Sequence, residues 1–259
     1  MTTAVRATAT QRVPMDAMRK TSLVAGLLYL LTFVSIPTLV LYGPVLHHAD
    51  YIVSAGSVTG VRWGGVLELI VALAGIGTAV ALFPVVRRYN EGVALGFVGT
   101  RVVEGGMIFV GVVSLFAVVT LRQDRGAAAG AEAATLVTTG QALVAIYNWT
   151  FLLGQTLMPA MNALLLGSLL YRSRLVPRIL PLLGLIGAPL LIASVLTTLF
   201  GIKETVSVWS AIATLPIAVW EFSLGVWLVA KGFNVAASAP GPATVAPGAP
   251  QAAVVASRA

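Results

Sequence analysis

Six apolar stretches, each long enough to cross a lipid bilayer, dominate this sequence of 259 residues. A helix needs about 20 residues to cross the ~30 Å hydrocarbon core of a bilayer. Only 10% of the residues are charged, whereas a soluble domain typically has about 25%. The sequence therefore predicts an all-α fold, a polytopic membrane helical bundle of six transmembrane helices. We predict its spans at residues 23–42, 63–86, 92–121, 142–171, 179–200 and 208–230.

The two ends of the chain differ in composition from the apolar stretches. Residues 1–20 are basic and rich in Ala and Thr, and residues 234–259 are rich in Ala, Pro and Gly without a periodic pattern. Such segments bury too little apolar surface to fold. We therefore predict a disordered N-terminal segment (1–20), a six-helix transmembrane domain (21–233) and a disordered C-terminal tail (234–259). An Ala-rich stretch, residues 126–140, is expected to form a short interfacial helix.

The distribution of Lys and Arg between the connecting segments predicts the orientation. If the N-terminus is inside, eleven of these residues lie in inner segments and four in outer loops, with Arg101 inside a span. Inner loops of membrane proteins carry an excess of basic residues. Both termini are therefore predicted to face the cytoplasm, and the lipid bilayer is the one partner that the sequence specifies.

Several classes of function find no support in the residues. The chain has no cysteine, which excludes disulfides, iron–sulfur clusters and thiolate zinc sites. The basic residues flank apolar spans, so we do not expect nucleic-acid binding. His47, His48 and Asp50 would need further ligands to bind a metal, and no predicted span contains a histidine. No nucleophile motif or phosphate-binding loop is present. We therefore predict no cofactor, no metal and no enzymatic activity.

Several short segments occur in an order and at spacings that are similar to those of a known family. They are Arg19-Lys20 before Ala25–Leu30, Arg101–Glu104, Leu166–Ser173 leading into Val176–Leu180, and Glu221 before Leu224–Phe233. Over residues 17–234 the sequence resembles a bacterial family of six-span membrane proteins known only as a domain of unknown function, family four-three-eight-six. The resemblance implies six spans in a bacterial plasma membrane. Many members carry a histidine in the fourth span, where this chain has Asn148 and Asn162 nearby.

Four charged side chains lie inside the predicted spans: Glu68, Arg101, Glu104 and Glu221. A charge in hydrocarbon costs at least ~2.5 kcal/mol, so such residues are usually functional or structurally paired. Arg101 and Glu104 are three positions apart and can pair on one face of a helix. We expect them to form a self-contained pair, which either fixes the packing of the third span or has a functional role.

The other two carboxyls, Glu68 and Glu221, outnumber the cations in the spans. Glu221 lies 13 residues into the sixth predicted span, near the midplane, and is the stronger functional candidate. It could also be a neutral acid bonded to a neighbouring helix. Glu68 is five residues into the second span, close enough to the outer face to reach water. Since burial disfavours the charged form, we expect at least one of the two to be protonated at neutral pH.

Three amides in the fourth span recur at spacings of seven: Asn148, Gln155 and Asn162. On a regular helix they would line one face over ~21 Å. They could supply hydrogen bonds between helices, or they could form a polar path or the wall of a binding cavity.

The candidate site is therefore an intramembrane polar cluster drawn from the four charges and the three amides. One hypothesis is a structural or regulatory membrane protein whose cluster specifies packing. The alternative is a proton-coupled transporter of a small molecule. Convergence of the charges around a cavity would favour transport, and convergence without a cavity would favour packing. The sequence specifies neither a ligand nor a protein partner.

Overall fold

A computed structural model describes residues 15–124, 130–202 and 208–234, and this part of the chain contains helices and no strand. The helices are α1 (Met15–Leu31), α2 (Thr38–Leu41), α3 (Gly43–His47), α4 (Thr59–Val86), α5 (Glu91–Asp124), α6 (Ala131–Thr150), α7 (Met158–Ser173), α8 (Ile179–Leu199) and α9 (Val208–Ala230). Six helical segments are long and apolar enough to cross a membrane. The predicted all-α class with six transmembrane helices is therefore confirmed.

The first span, Ala17–Leu41, is interrupted near its end by a 3₁₀ turn at Thr32–Ser35. The cause is Pro37, which has no N–H to donate to the carbonyl of Phe33. The N–H of Ile36 bonds to that carbonyl instead, at 3.2 Å. The Thr38 hydroxyl donates to the Ser35 carbonyl at 2.6 Å, so side chains replace part of the lost backbone bonding.

The fourth span is a continuous segment of 43 residues, Ala131–Ser173, in which a π-helix at Phe151–Leu157 joins α6 to α7. Pro159 contributes to this change, because it lacks the N–H that an α-helix would direct to the carbonyl of Gln155. The segment measures ~65 Å and must project beyond the hydrocarbon. The prediction of a separate interfacial helix at residues 126–140 is wrong from Ala131 onward, because those residues belong to α6. Its earlier part, at 126–129, lies outside the described residues.

The six spans pack in the order of a closed ring. The first span contacts α4, α4 contacts α5, α5 contacts α6 and α7, α7 contacts α8, and α8 contacts α9. The ring closes because α9 packs against α1. Both described ends of the chain therefore lie at the same end of the bundle, where the Arg19 guanidinium donates to the carbonyl of Val229.

Two large apolar cores fill the bundle, one towards each end, and a small third one contains Ala72, Ile108 and Val112. The first contains Phe97 and Trp220 at the end near the termini, and the second contains Tyr42 and Leu115. Large apolar side chains also cover the outside, such as Val113, which is 65% exposed. An apolar exterior around a tightly packed interior is consistent with lipid as the surrounding solvent.

Differences from the predicted boundaries are largest at the ends of the elements. α1 begins at Met15, eight residues before the predicted start of the first span, and α5 extends to Asp124. The predicted disordered segments, 1–20 and 234–259, lie largely outside the described residues, but disorder is wrong for residues 15–20, which belong to α1. The division into two tails and a transmembrane domain remains a prediction.

Candidate functional site

Arg101 binds two carboxylates from two different helices. Its Nη1 donates to both oxygens of Glu104, at 3.2 and 3.0 Å, and its Nη2 donates to Oε1 of Glu221 at 2.6 Å. The Arg101 side chain is 2% exposed, and those of Glu104 and Glu221 are 10% and 13% exposed. The expectation of a self-contained Arg101–Glu104 pair is therefore wrong, because the planar guanidinium presents donors in two directions.

Side chains from the fourth span and from α5 complete this group, which we call the arginine cluster (Thr100, Arg101, Glu104, Asn162 and Glu221). Asn162 donates to Oε2 of Glu104 at 2.7 Å and accepts a hydrogen bond from the hydroxyl of Thr100. Three spans thus meet at two carboxyls and one cation. Glu104 has two hydrogen-bonding side chains, whereas Glu221 has Arg101 alone among the described residues.

A cavity of about 190 Å³ lies against the arginine cluster. Arg101, Glu104 and Glu221 all line it, and Gln155 lines it from the π-helix. The 3₁₀ turn forms another part of the wall. The remaining lining residues are Thr32, Phe33, Ser35, Ile36, Val71, Ile108, Pro159, Leu191, Thr214, Ile217 and Ala218. Ile36 is 59% exposed, so the cavity reaches the surface of the bundle between the first span and α9.

Glu68 forms a second group with tyrosines and an amide, which we call the glutamate cluster (Tyr42, Glu68, Tyr147 and Gln155). The hydroxyls of Tyr42 and Tyr147 donate to Glu68 at 3.3 and 3.0 Å, and Nε2 of Gln155 donates at 3.1 Å. In the described part of the chain, no Lys, Arg or His lies within ion-pair distance of Glu68. Hydrogen bonds alone therefore stabilise this carboxyl.

The expectation that Glu68 reaches water is wrong. The residue is 1% exposed and lies nine positions after the start of α4, which begins four residues earlier than the predicted span. Gly64 makes the burial possible, because a Cβ at that position would overlap the ring of Tyr42. The Tyr42 and Tyr147 rings then meet edge to face, with centroids 5.4 Å apart.

The three amides of the fourth span do not line a single path. Asn148 is exposed and lines a different cavity with His47 and His48, whereas Gln155 and Asn162 contact Glu68 and Glu104. The π-helix between Asn148 and Asn162 accounts for this, since its wider turn changes the faces on which later residues lie. Gln155 is the link between the two clusters, because it donates to Glu68 and lines the cavity beside Arg101.

No sequence pattern marks Tyr42 or Thr100 as a member of these clusters. Tyr42 follows the proline-interrupted end of the first span, where an aromatic residue is ordinary at a membrane interface. Thr100 precedes Arg101 and could have been suspected only from that position. Tyr147 adjoins the candidate Asn148, but its partner Glu68 is 79 residues away in sequence.

Comparison with known proteins identifies a family whose model matches this sequence. The sequence matches the model of a family described as "Domain of unknown function (DUF4386)" over residues 24–232. The matched region contains the four charged residues of the two clusters and nearly all of the ring of spans. No curated protein and no solved structure matches the chain.

Proposed function

We propose a function for this chain from its buried clusters. The chain belongs to the family described as "Domain of unknown function (DUF4386)", and that description names no activity. The proposal is that this membrane protein carries a small polar solute across the bilayer in exchange with, or together with, protons. The cavity beside the arginine cluster would hold the solute, and Glu221 would bind and release the proton.

The observation that carries the proposal is the imbalance of charge at the wall of the cavity. One guanidinium is shared by two carboxyls, so the cluster has one excess negative charge when both are ionised. An uncompensated charge inside a membrane is costly, and a proton or a cationic group of a solute would neutralise it. The sign of the charge favours a cationic or neutral solute over an anion.

Glu221 is better suited than Glu104 to exchange a proton. Asn162 as well as Arg101 binds Glu104, and three hydrogen bonds hold that carboxylate in place. Glu221 contacts Arg101 through one oxygen and also lines the cavity. It can therefore exchange one partner for another without breaking the contact between α5 and α7.

Interrupted helices beside the cavity support the same proposal. Carriers commonly bind solutes near the bilayer midplane, where irregular backbone lines a cavity. Here the 3₁₀ turn contributes Thr32 and Ser35 to the wall, and the π-helix contributes Gln155. Short π-helical segments are frequent at functional sites.

The test is solute-driven proton flux in proteoliposomes that contain a pH-sensitive dye. We expect one or more members of a panel of small amines and neutral polar solutes to change the internal pH with the wild-type protein. Glu221→Gln should abolish the coupled proton signal, whereas Glu132→Gln, an exposed acid at the start of α6, should leave it unchanged. Absence of flux for the wild type across the panel would contradict the proposal.

A structural or regulatory role is the second candidate, and the burial of Arg101 favours it. The guanidinium joins α5 to α9, and Glu104 in turn joins α5 to α7. Such contacts specify how spans pack even without a solute. In that case Glu221→Gln would alter stability, and neither the variant nor the wild type would show solute-driven proton flux.

We also propose that the protein lies in the bacterial plasma membrane and that both of its termini face the cytoplasm. The excess of Lys and Arg in the connections predicted to be inside supports the orientation. The resemblance to bacterial six-span proteins supports the membrane.

A further inference from the structure

A basic cavity of about 510 Å³ lies at the end of the bundle where the described termini meet. Three cationic side chains line it: Arg174 follows α7, Arg178 precedes α8, and Lys231 follows α9. No acidic residue of the described chain is among its lining residues, which are completed by Val176, Pro177, Trp227, Gly232, Phe233 and Asn234. Because these positions lie where three spans end, the cavity lies at the depth of lipid headgroups.

Hydrogen bonds hold the walls of the cavity together, and one of them joins segments that are distant in sequence. The N–H of Asn234 donates to the carbonyl of Leu175 at 2.8 Å, and the indole of Trp227 donates to the carbonyl of Gly232 at 3.1 Å. Gly232 allows the chain to turn here because its φ is 76°. The cationic groups therefore surround a preformed space.

Arg174 occupies a backbone conformation that normally belongs to glycine. Its φ is 55° and its ψ is 23°, and it is the one described non-glycine residue with positive φ. The N–H of Arg174 bonds to the Leu170 carbonyl at 3.1 Å, the usual arrangement after a helix end. Glycine would make this turn with less strain, so Arg174 adopts the conformation at a cost in backbone energy.

Neighbouring contacts reduce the negative potential that would repel an anion. The last carbonyls of α9 carry the negative end of the helix dipole. Arg19 binds two of them, donating to Leu228 at 3.2 Å and to Val229 at 2.7 Å. Arg178 is oriented by its Nε, which donates to the carbonyl of Tyr171 at 3.4 Å.

From this arrangement we infer that the cavity binds the phosphate group of an anionic phospholipid. Arg174, Arg178 and Lys231 contact the phosphate, which carries the negative charge of the headgroup, while Trp227 and Val176 contact the apolar part next to it. Arginines suit phosphate oxygens because the guanidinium donates two parallel bonds, and basic pockets between spans are suited to lipid headgroups. The inference does not depend on the proposed transport activity.

Native mass spectrometry of the full chain in detergent tests this inference with short-chain phosphatidylglycerol and phosphatidylcholine. Each cation is expected to contribute about five-fold in affinity. Phosphatidylglycerol should therefore bind at least about five-fold more tightly than phosphatidylcholine to the wild type. Arg178→Gln with Lys231→Gln should weaken phosphatidylglycerol binding by about twenty-five-fold.

Two further variants separate binding from folding and from net charge. Arg174→Gly keeps the backbone conformation and removes the cation, so it should weaken phosphatidylglycerol binding by about five-fold with an unchanged or higher unfolding temperature. Arg87→Gln with Arg88→Gln removes two exposed cations that do not line the cavity and should leave binding unchanged.

Three outcomes would overturn the inference. They are equal binding of the two lipids by the wild type, equal losses in the two double variants, and full affinity in Arg174→Gly. A parallel titration with inorganic phosphate at constant ionic strength distinguishes the source of the ligand. If phosphate binds with the same dependence on Arg178 and Lys231 while phosphatidylglycerol does not, the lipid assignment is wrong.

Discussion

At the scale of single residues, Arg101 has the central electrostatic role, because it takes part in both ion pairs of the described chain. Its charge is almost completely removed from solvent, with 2% of the side chain exposed. Removal of one partner from a buried ion pair usually costs more than removal of the whole pair, since the remaining charge stays buried without compensation.

We therefore predict that Arg101→Gln lowers the free energy of unfolding by ~3–5 kcal/mol. The variant leaves Glu104 and Glu221 buried beside each other without a cation between them. Reversible unfolding in mixed micelles, followed by circular dichroism, measures the effect.

The matched control is the triple variant Arg101→Gln, Glu104→Gln and Glu221→Gln, which has no charge in the cluster. It should recover most of the lost stability, because amides can still hydrogen-bond and no unpaired charge remains. A triple variant as unstable as Arg101→Gln would show that shape, rather than charge, determines stability at this position.

Sequence spacing anticipates contacts within a helix better than contacts between helices. The separation of three residues predicted that Arg101 and Glu104 pair, and they do. Nothing near Arg101 in sequence indicates Glu221, which is 120 residues further on and approaches because α9 closes the ring against α1. For the same reason, no sequence pattern joined Glu68 to Tyr42 and Tyr147.

At the scale of elements, close contact between α1 and α9 closes the ring of spans. A Cβ built on Gly26 would lie 2.8 Å from the carbonyl oxygen of Gly225 and 2.9 Å from the backbone nitrogen of Val229. Backbone atoms of a helix cannot move aside as a flexible side chain can. Small residues at such interfaces allow close packing of spans, which is a main source of helix association in lipid.

Gly26→Ala is accordingly expected to lower the free energy of unfolding by ~1–3 kcal/mol, since overpacking forces the two helices apart. Gly99→Ala provides the comparison, because Gly99 lies inside α5 and, apart from the neighbouring backbone of that helix, no atom lies within 4 Å of the added methyl group. That variant should be neutral or more stable by up to ~1 kcal/mol, since alanine favours the helix. Thermal unfolding in one detergent compares the two, and equal effects would contradict the role assigned to Gly26.

Apolar length predicted the existence of the spans but not their internal irregularities. Pro37 marks the position where the first span is interrupted, and its missing N–H explains the 3₁₀ turn in retrospect. The π-helix had no comparable signal, because Pro159 is also compatible with the first turn of a new helix. The seven-residue spacing of the amides therefore predicted a common face that the π-helix removes.

At the scale of the whole molecule, the even number of spans places both described ends on one side. The length and number of the apolar stretches in the sequence are enough to predict that both ends lie on one side. The ring order was not predictable, because it depends on which apolar faces fit one another, and all of the spans have similar compositions. The cavity beside Arg101 follows from that order, since residues from all six spans line it together.

The orientation of this ring in the membrane gives the last prediction, which the absence of cysteine makes simple to test. Ser57 lies exposed in the loop between α3 and α4, and Glu91 lies exposed at the start of α5, at the opposite end of α4. With cytoplasmic termini, Ser57→Cys should react with a membrane-impermeant maleimide in intact spheroplasts, and Glu91→Cys should react only after permeabilisation. The unsubstituted chain gives the background because it has no thiol. The reverse labelling pattern would mean that the excess of basic residues at the end with the termini does not set the topology, and the basic cavity would then face the outer leaflet.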